Sequence, residues 1–450
     1  MTTVRRALVA PLVLAAVLAI TPGTGGAVAV PRCLGRVATI VGTGGDDRIV
    51  GTRGPDVIVG RGGEDLIEGG RGDDRICGDG AFDFIEGGPG DDRISGGSGS
   101  DTAHGGPGRD RIRSGGGSLE ALFGGRGDDR LFGGPGSFDG LIGGPGDDRL
   151  HGGPGRDLAE FFESPGPVNG DLETDVVTGH GADELVSIEG LVGSSFDDVL
   201  AGDEASNLLV GEEGDDVLIG RGSGTLVGLG ADVLDGADGD DAIDGGDGAD
   251  ILRFEDSPNP IAVDLAAGTA TGWGSDQVSG IEAVIGSDLN DSLIGDAEDN
   301  AFVGGFGDDS IDGRGGVDQA AYFDAFEPVA VDLAAGTAAG WGDDTLVGIE
   351  DVLGSALDDM LAGDDGPNAI SGGSGADTIS GAAGDDVLLG DAGVDSADGG
   401  DGIDACDAET ESRCEADPAA TPAAGPGSRP TSASWPWVRR YDPDAEATLG

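Results

Sequence analysis

A nine-residue period runs through most of this chain, and few folds can accommodate it. Gly69-Gly70-Arg71-Gly72-Asp73-Asp74-Arg75-Ile76-Cys77 is one unit, and Gly87-Gly88-Pro89-Gly90-Asp91-Asp92-Arg93-Ile94-Ser95 is another. The register holds without a slip from Gly42 to Arg113. It resumes at Gly124 and runs, with one extra residue near Asp139, to Glu160. Self-similarity at a short fixed period marks stacked repeats rather than a single globular core. Composition agrees, because aromatics are only 4% of 450 residues and 93 residues are Gly. An ordinary core of this length uses more large side chains. High glycine with a formal net charge of -63 reads as disorder when no period is present. Here the period argues for order.

Each place in the unit has a physical task. Glycine at the first, second and fourth places permits a tight turn and close backbone approach. The sixth place is acidic and points into that turn. An aliphatic residue at the eighth, as in Ile49, Ile58, Ile67, Ile76, Ile85 and Ile94, faces inward on a three-residue strand. Its neighbours at the seventh and ninth places face out, because strand side chains alternate. Two units make one coil, and stacked coils sit about 4.7–4.9 Å apart. The predicted fold is therefore all-β, a parallel β-roll.

Stacking also sets the sixth-place carboxylates one above another. Two unit charges about 4.8 Å apart repel by about 3.5 kcal/mol at an effective dielectric of about 20, before salt screening. Several such pairs exceed a typical domain stability of about 5–15 kcal/mol. A cation between the turns removes the repulsion. Ca²⁺ takes 6–8 oxygen ligands and suits turns that offer carboxylates and main-chain carbonyls, whereas Mg²⁺ demands a tighter octahedral shell. No Cys or His falls at the sixth place, which argues against zinc.

The pattern Gly-Gly-x-Gly-x-Asp-x-aliphatic-x resembles the RTX, or haemolysin-type, calcium-binding repeat family over most of 42–407. The resemblance implies a calcium-loaded parallel β-roll. It implies as ligands Asp47, Asp56, Asp65, Asp74, Asp83, Asp92, Asp101, Asp110, Asp129, Asp148 and Asp157 in a first array, 42–160. Many members of that family carry a toxin or protease domain and an uncleaved C-terminal export signal. This chain is expected to carry an N-terminal signal instead and no such domain, which puts a toxin or protease role in doubt.

A second array, 161–414, contains a longer repeat. Asp171-Leu172, Gly179-His180-Gly181 and Ile188-Glu189 recur as Asp264-Leu265, Gly272-Trp273-Gly274 and Ile281-Glu282. They recur again as Asp332-Leu333, Gly340-Trp341-Gly342 and Ile349-Glu350. Each copy ends in Gly-Ser, and nonapeptides follow. Their sixth-place ligands are expected at Asp198, Asp216, Asp241, Asp250, Asp291, Asp309, Asp318, Asp359, Asp377, Asp386, Asp395 and Asp404. Asn207, Asn300 and Asn368 take that place once per copy and keep a carbonyl oxygen without the charge, so weaker sites are expected there. The inserted segments read as β. They form either wider coils whose tryptophans cover an edge or a ligand-binding ridge carrying Trp273 and Trp341.

The ends of the chain differ from the repeats. Arg5 and Arg6 precede an apolar stretch, Ala7 to Ile20, and Ala27-Val28-Ala29 fits a cleavage site, so 1–29 is expected to be an export signal. The stretch is shorter than the roughly 18 residues a membrane span requires. A short cap, 30–41, follows. In an oxidising compartment the four cysteines allow three pairings, and Cys33 with Cys77 and Cys406 with Cys414 is favoured because each pair staples one exposed end of the roll. The tail, 415–450, is rich in Pro, Ala and Ser and is expected to be disordered, with Trp435-Pro436-Trp437 standing alone in it.

The same composition excludes several functions. All 24 basic residues are Arg, so neither a Walker loop nor a Schiff-base lysine exists. His104, His151 and His180 form no His-Glu-x-x-His motif and are expected at the surface. A polyanion repels nucleic acid. The expectation is a secreted, non-catalytic calcium-binding solenoid; the alternative is a calcium-dependent adhesin or matrix protein that engages glycan or a cell surface.

Overall fold

The computed structural model describes residues 30–222, 231–408 and 410–414. The expected export signal and tail lie outside the described residues. Every regular element among the described residues is a β-strand, and most are three residues long. The chain divides into two compact units between Gly155 and Arg156.

In the first unit, successive strands alternate between two parallel sheets, so each strand pairs with the one two repeats later. Ile49 lies beside Ile67 and Ile67 beside Ile85 in one sheet. Ile58, Ile76, Ile94 and Ile112 align in the other. The eighth-place side chains meet between the sheets. Ile58, Ile67, Ile76 and Ile85 are completely buried, and each such burial contributes about 1.5–3 kcal/mol. The flanking places follow the expected alternation, as in Arg48-Ile49-Val50, where only the isoleucine is buried. The fold is the expected parallel β-roll.

The N-terminal cap is a small antiparallel hairpin, Arg32–Cys33 with Arg36–Val37. It packs Cys33 against Val59 and Cys77. Cys33 and Cys77 have their Cα atoms 5.6 Å apart, and Cys406 and Cys414 theirs 5.9 Å apart, with sulfurs at bonding distance in both pairs.

The second unit repeats the roll with three interruptions. In the second copy, strands Ala262–Asp264, Thr269–Thr271 and Ser275–Ser279 form an antiparallel meander. Its last strand pairs back onto Ala242–Asp244 and its first strand pairs forward onto Ser292–Ile294. One sheet thus gains three strands at this step, whereas in the opposite sheet Ile251–Arg253 passes directly to Ala283–Ile285. The inserted segments are widened coils.

One expectation is overturned on that opposite sheet. Seventh and ninth places were expected to face out, yet Ala283-Val284-Ile285 and Ala301-Phe302-Val303 are buried at all three positions. Such continuous apolar runs belong to strands covered on both faces. The same face holds a buried ion pair, with Arg253 Nε donating to Asp235 Oδ2 at 3.0 Å.

Candidate metal-binding turns

The sixth-place carboxylates form two rows in the first unit. The backbone N–H of each Asp donates to Oδ1 of the carboxylate one coil later. Asp56 donates to Asp74, Asp74 to Asp92 and Asp92 to Asp110, each at 2.7 Å. The other row runs from Asp47 through Asp65 and Asp83 to Asp101. The second oxygen of these groups is different. Oδ2 of Asp65, Asp74, Asp83, Asp92, Asp101, Asp110 and Asp129 is buried and accepts no hydrogen bond. In the second unit the same holds for Asp216, Asp232, Asp241, Asp250, Asp309, Asp318 and Asp377. An unsatisfied buried carboxylate oxygen costs about 1–3 kcal/mol or more, so rows of them require a partner.

The turn glycines show where that partner fits. A methyl group built on Gly69 would lie 2.6 Å from the Gly87 carbonyl oxygen and 2.9 Å from Asp74 Oδ2. The carboxylate oxygen and a carbonyl of the next coil converge on space that only glycine leaves open. Among the described residues no three His, Cys, Asp or Glu side chains converge on one point. Each turn supplies a single carboxylate, and the rest of a cation's shell must come from carbonyls. Such an all-oxygen, flexible donor set fits Ca²⁺.

Burial pushes these carboxyls well above the ordinary aspartate range. The N–H bond from the preceding coil offsets part of the effect, and neighbouring carboxylates add to it. Asp129, Asp241 and Asp309 rise to about 8. Asp83, Asp92, Asp110, Asp216, Asp232, Asp250 and Asp318 rise to about 7.

Five of the expected ligands stand in closed turns. Thr43 donates from its N–H and its hydroxyl to Asp47 Oδ2 at 2.5 and 2.9 Å, and Thr52 does the same to Asp56 at 2.7 and 2.8 Å. Ser194, Ser287 and Ser355 close Asp198, Asp291 and Asp359 by the same N–H and hydroxyl pair. The hydroxyl residue occupies the second place, where other units have glycine, as at Gly70 and Gly88, or a residue such as Arg61, Asp79 or Glu212. Elsewhere that place bonds to the neighbouring coil, as Gly70 N–H does to the Gly87 carbonyl. The Asn places are closed as well. The amide oxygens of Asn207, Asn300 and Asn368 accept the N–H of Asp203, Asp296 and Asp364.

These closed turns begin new rows. One coil earlier, Val168, Ile261 and Val329 occupy the carboxylate position and donate their N–H groups to Asp198, Asp291 and Asp359. Rows on the opposite side end in a glutamate. Asp157 N–H donates to Glu189, Asp250 to Glu282 and Asp318 to Glu350. Each insertion therefore interrupts both rows.

Counting places from the first glycine misses several row members: Glu120, Asp139, Asp183, Asp232, Asp276, Asp344 and the three glutamates. All are buried or half-buried. A different offset identifies them, because each lies two residues before the buried residue of its strand. Glu120 precedes Leu122, Asp232 precedes Leu234 and Asp344 precedes Leu346. Insertions lengthen the turn before that residue and leave the offset intact. Two of the three histidines pack in aromatic contacts: the His104 ring stacks on Phe123 at 4.2 Å, and His151 meets Phe132 edge-on at 5.9 Å.

The RTX calcium-binding nonapeptide repeat model matches residues 41–76, 78–112, 114–137, 139–159, 192–223, 227–254, 285–320, 353–388 and 371–405, more than half of the chain. The chain belongs to the RTX calcium-binding repeat family. Between 159 and 192, 254 and 285, and 320 and 353, no match falls, and these RTX gaps coincide with the three meanders. No curated protein matches the chain. RTX membership implies calcium binding by a repeat β-roll, and the open turns have the donor chemistry to provide it.

Proposed function

We propose that this RTX chain is a secreted, non-catalytic solenoid whose turns bind calcium and whose order depends on it. The rows of buried carboxylate oxygens without a hydrogen-bond partner carry this reading. The open turns hold the ions, through Asp65, Asp74, Asp83, Asp92, Asp101, Asp110 and Asp129 in the first unit. In the second, Asp216, Asp232, Asp241, Asp250, Asp309, Asp318 and Asp377 act likewise. The export signal at 1–29 supports secretion, and the two cysteine pairs are suited to an oxidising compartment. A cation that binds only the folded state stabilises that state. Circular dichroism of the mature chain should show β-structure appearing as calcium replaces a chelator. Equal β content in both conditions would sink the proposal.

The closed turns at Asp47, Asp56, Asp198, Asp291 and Asp359 hold no ion in this reading, since hydroxyls already satisfy them. Ser194→Gly removes the hydroxyl bond to Asp198 Oδ1 and lets the N–H at this place, which holds Oδ2, turn to the neighbouring coil as that of Gly70 does. Calorimetric titration of S194G should find one calcium ion more than the parent chain. An unchanged stoichiometry would show that Ser194 does not decide occupancy.

A further inference from the structure

The first unit carries a cationic face that calcium binding does not use. Arg75, Arg93, Arg111 and Arg130 occupy the seventh place of successive strands of one sheet and stand directly beside one another. Like charges directly opposite on a sheet are destabilising, and the flanking acidic turns offset that cost on one side of the row only. On one side, Arg93, Arg111 and Arg130 share a groove with Asp91, Asp92, Asp110 and Asp128. On the other side, a cavity of about 290 Å³ is lined by Arg75, Arg93, Arg111 and Arg113 with Leu34 and Ile94. No carboxylate lines it, in a chain with 87 acidic residues.

Three of the four guanidiniums are held in place. Arg111 and Arg113 both lie over the Phe132 ring, 4.8 and 5.0 Å from its centre, and Arg75 donates to the Leu34 carbonyl at 3.3 Å. Burial, with the neighbouring guanidiniums adding to it, pulls Arg75 and Arg111 below the usual arginine range. An anion would relieve both effects.

We propose that this cavity binds the sulfate or carboxylate groups of a linear anionic polysaccharide. The guanidinium fork matches planar and tetrahedral oxyanions through paired charge-assisted hydrogen bonds. Rungs about 4.8 Å apart form a single narrow row, which one flexible strand can follow. A duplex nucleic acid or an anionic membrane would bring a broad negative surface against a protein of net charge -63. The proposal goes beyond calcium binding and rests on it only in requiring the folded roll.

The test uses the full chain in saturating calcium, with dextran sulfate as probe and uncharged dextran and duplex DNA as comparators. Saturable binding to dextran sulfate alone is expected, weakening as sodium chloride rises. Arg93→Gln and Arg111→Gln should each weaken it about tenfold, the loss of one charge-assisted contact. Arg314→Gln, in a guanidinium already paired with Asp264 at 2.9 Å, should not change it. Circular dichroism in the same calcium buffer reports the fold, so a failure of calcium-dependent folding is distinguished from a failure of this site. Absence of saturable binding, salt-independent binding, equal binding of dextran, or equal weakening by R314Q would overturn the proposal. Tighter binding of DNA than of dextran sulfate would overturn the assigned ligand class.

Discussion

Calcium-free protein brought from pH 8 to pH 5 is expected to gain β-structure without any metal. Burial raises the row carboxyls to about 7 at Asp83, Asp92 and Asp110 and to about 8 at Asp129, Asp241 and Asp309, against an ordinary value of 3.8. The calcium-free fold therefore binds more protons than the unfolded chain, and falling pH favours it. The contribution is fully present below the ordinary value and is lost as pH rises through about 7 to 8. A proton neutralises each carboxyl as calcium would, but one at a time and without bridging coils. Calcium binds the ionised form, so the calcium midpoint for folding should rise as pH falls. Far-UV circular dichroism of decalcified protein at the two pH values is the measurement. An equally disordered spectrum at pH 5 and pH 8 would show that the carboxyls are not the obstacle to folding.

The two arrays, produced as separate polypeptides, are expected to differ widely in calcium dependence. Residues 42–160 contain 13 Arg against 23 acidic residues, and residues 161–414 contain 4 Arg against 59. In the first array arginines at the seventh place flank the acidic turns, as Arg93, Arg111 and Arg130 do beside Asp92 and Asp110. Exposed pairs contribute only about 0–1 kcal/mol each, but a row of them lowers the repulsion that calcium must cancel. In the second array Arg221 and Arg314 pair with Asp171 and Asp264 in the meanders instead. Residues 161–414 should be unfolded without calcium, while 30–160 with its disulfide keeps partial β-structure. The first should also fold at a lower calcium concentration. Coinciding midpoints would mean that the arginines are solvated surface charge with no effect on the rows.

The roll itself was legible because its determinants are local and periodic. Ile49, Ile58, Ile67 and Ile76 fix which face of each strand is buried. A constant repeat length then forces parallel register, since a slip of one residue would turn every isoleucine outward. The carboxylate at each turn follows from the same period. What the period could not show is which carboxylates remain open. Asp198 and Asp216 occupy the same place in the repeat, yet Ser194 closes the first and nothing closes the second. That difference lies in whether a second-place hydroxyl turns inward onto the carboxylate. The period gives the residue at that place but not the direction in which its hydroxyl and N–H point. Asp232, Asp276 and Asp344 were hidden for a related reason: insertions alter the distance to the first glycine, while stacking conserves the distance to the buried core residue. The arginine-lined cavity is likewise a product of stacking, because it gathers four arginines up to 38 positions apart, Arg75 to Arg113, together with the still more distant Leu34. Sequence thus determined the coil and its chemistry, and the tertiary stack determined which neighbour each coil meets.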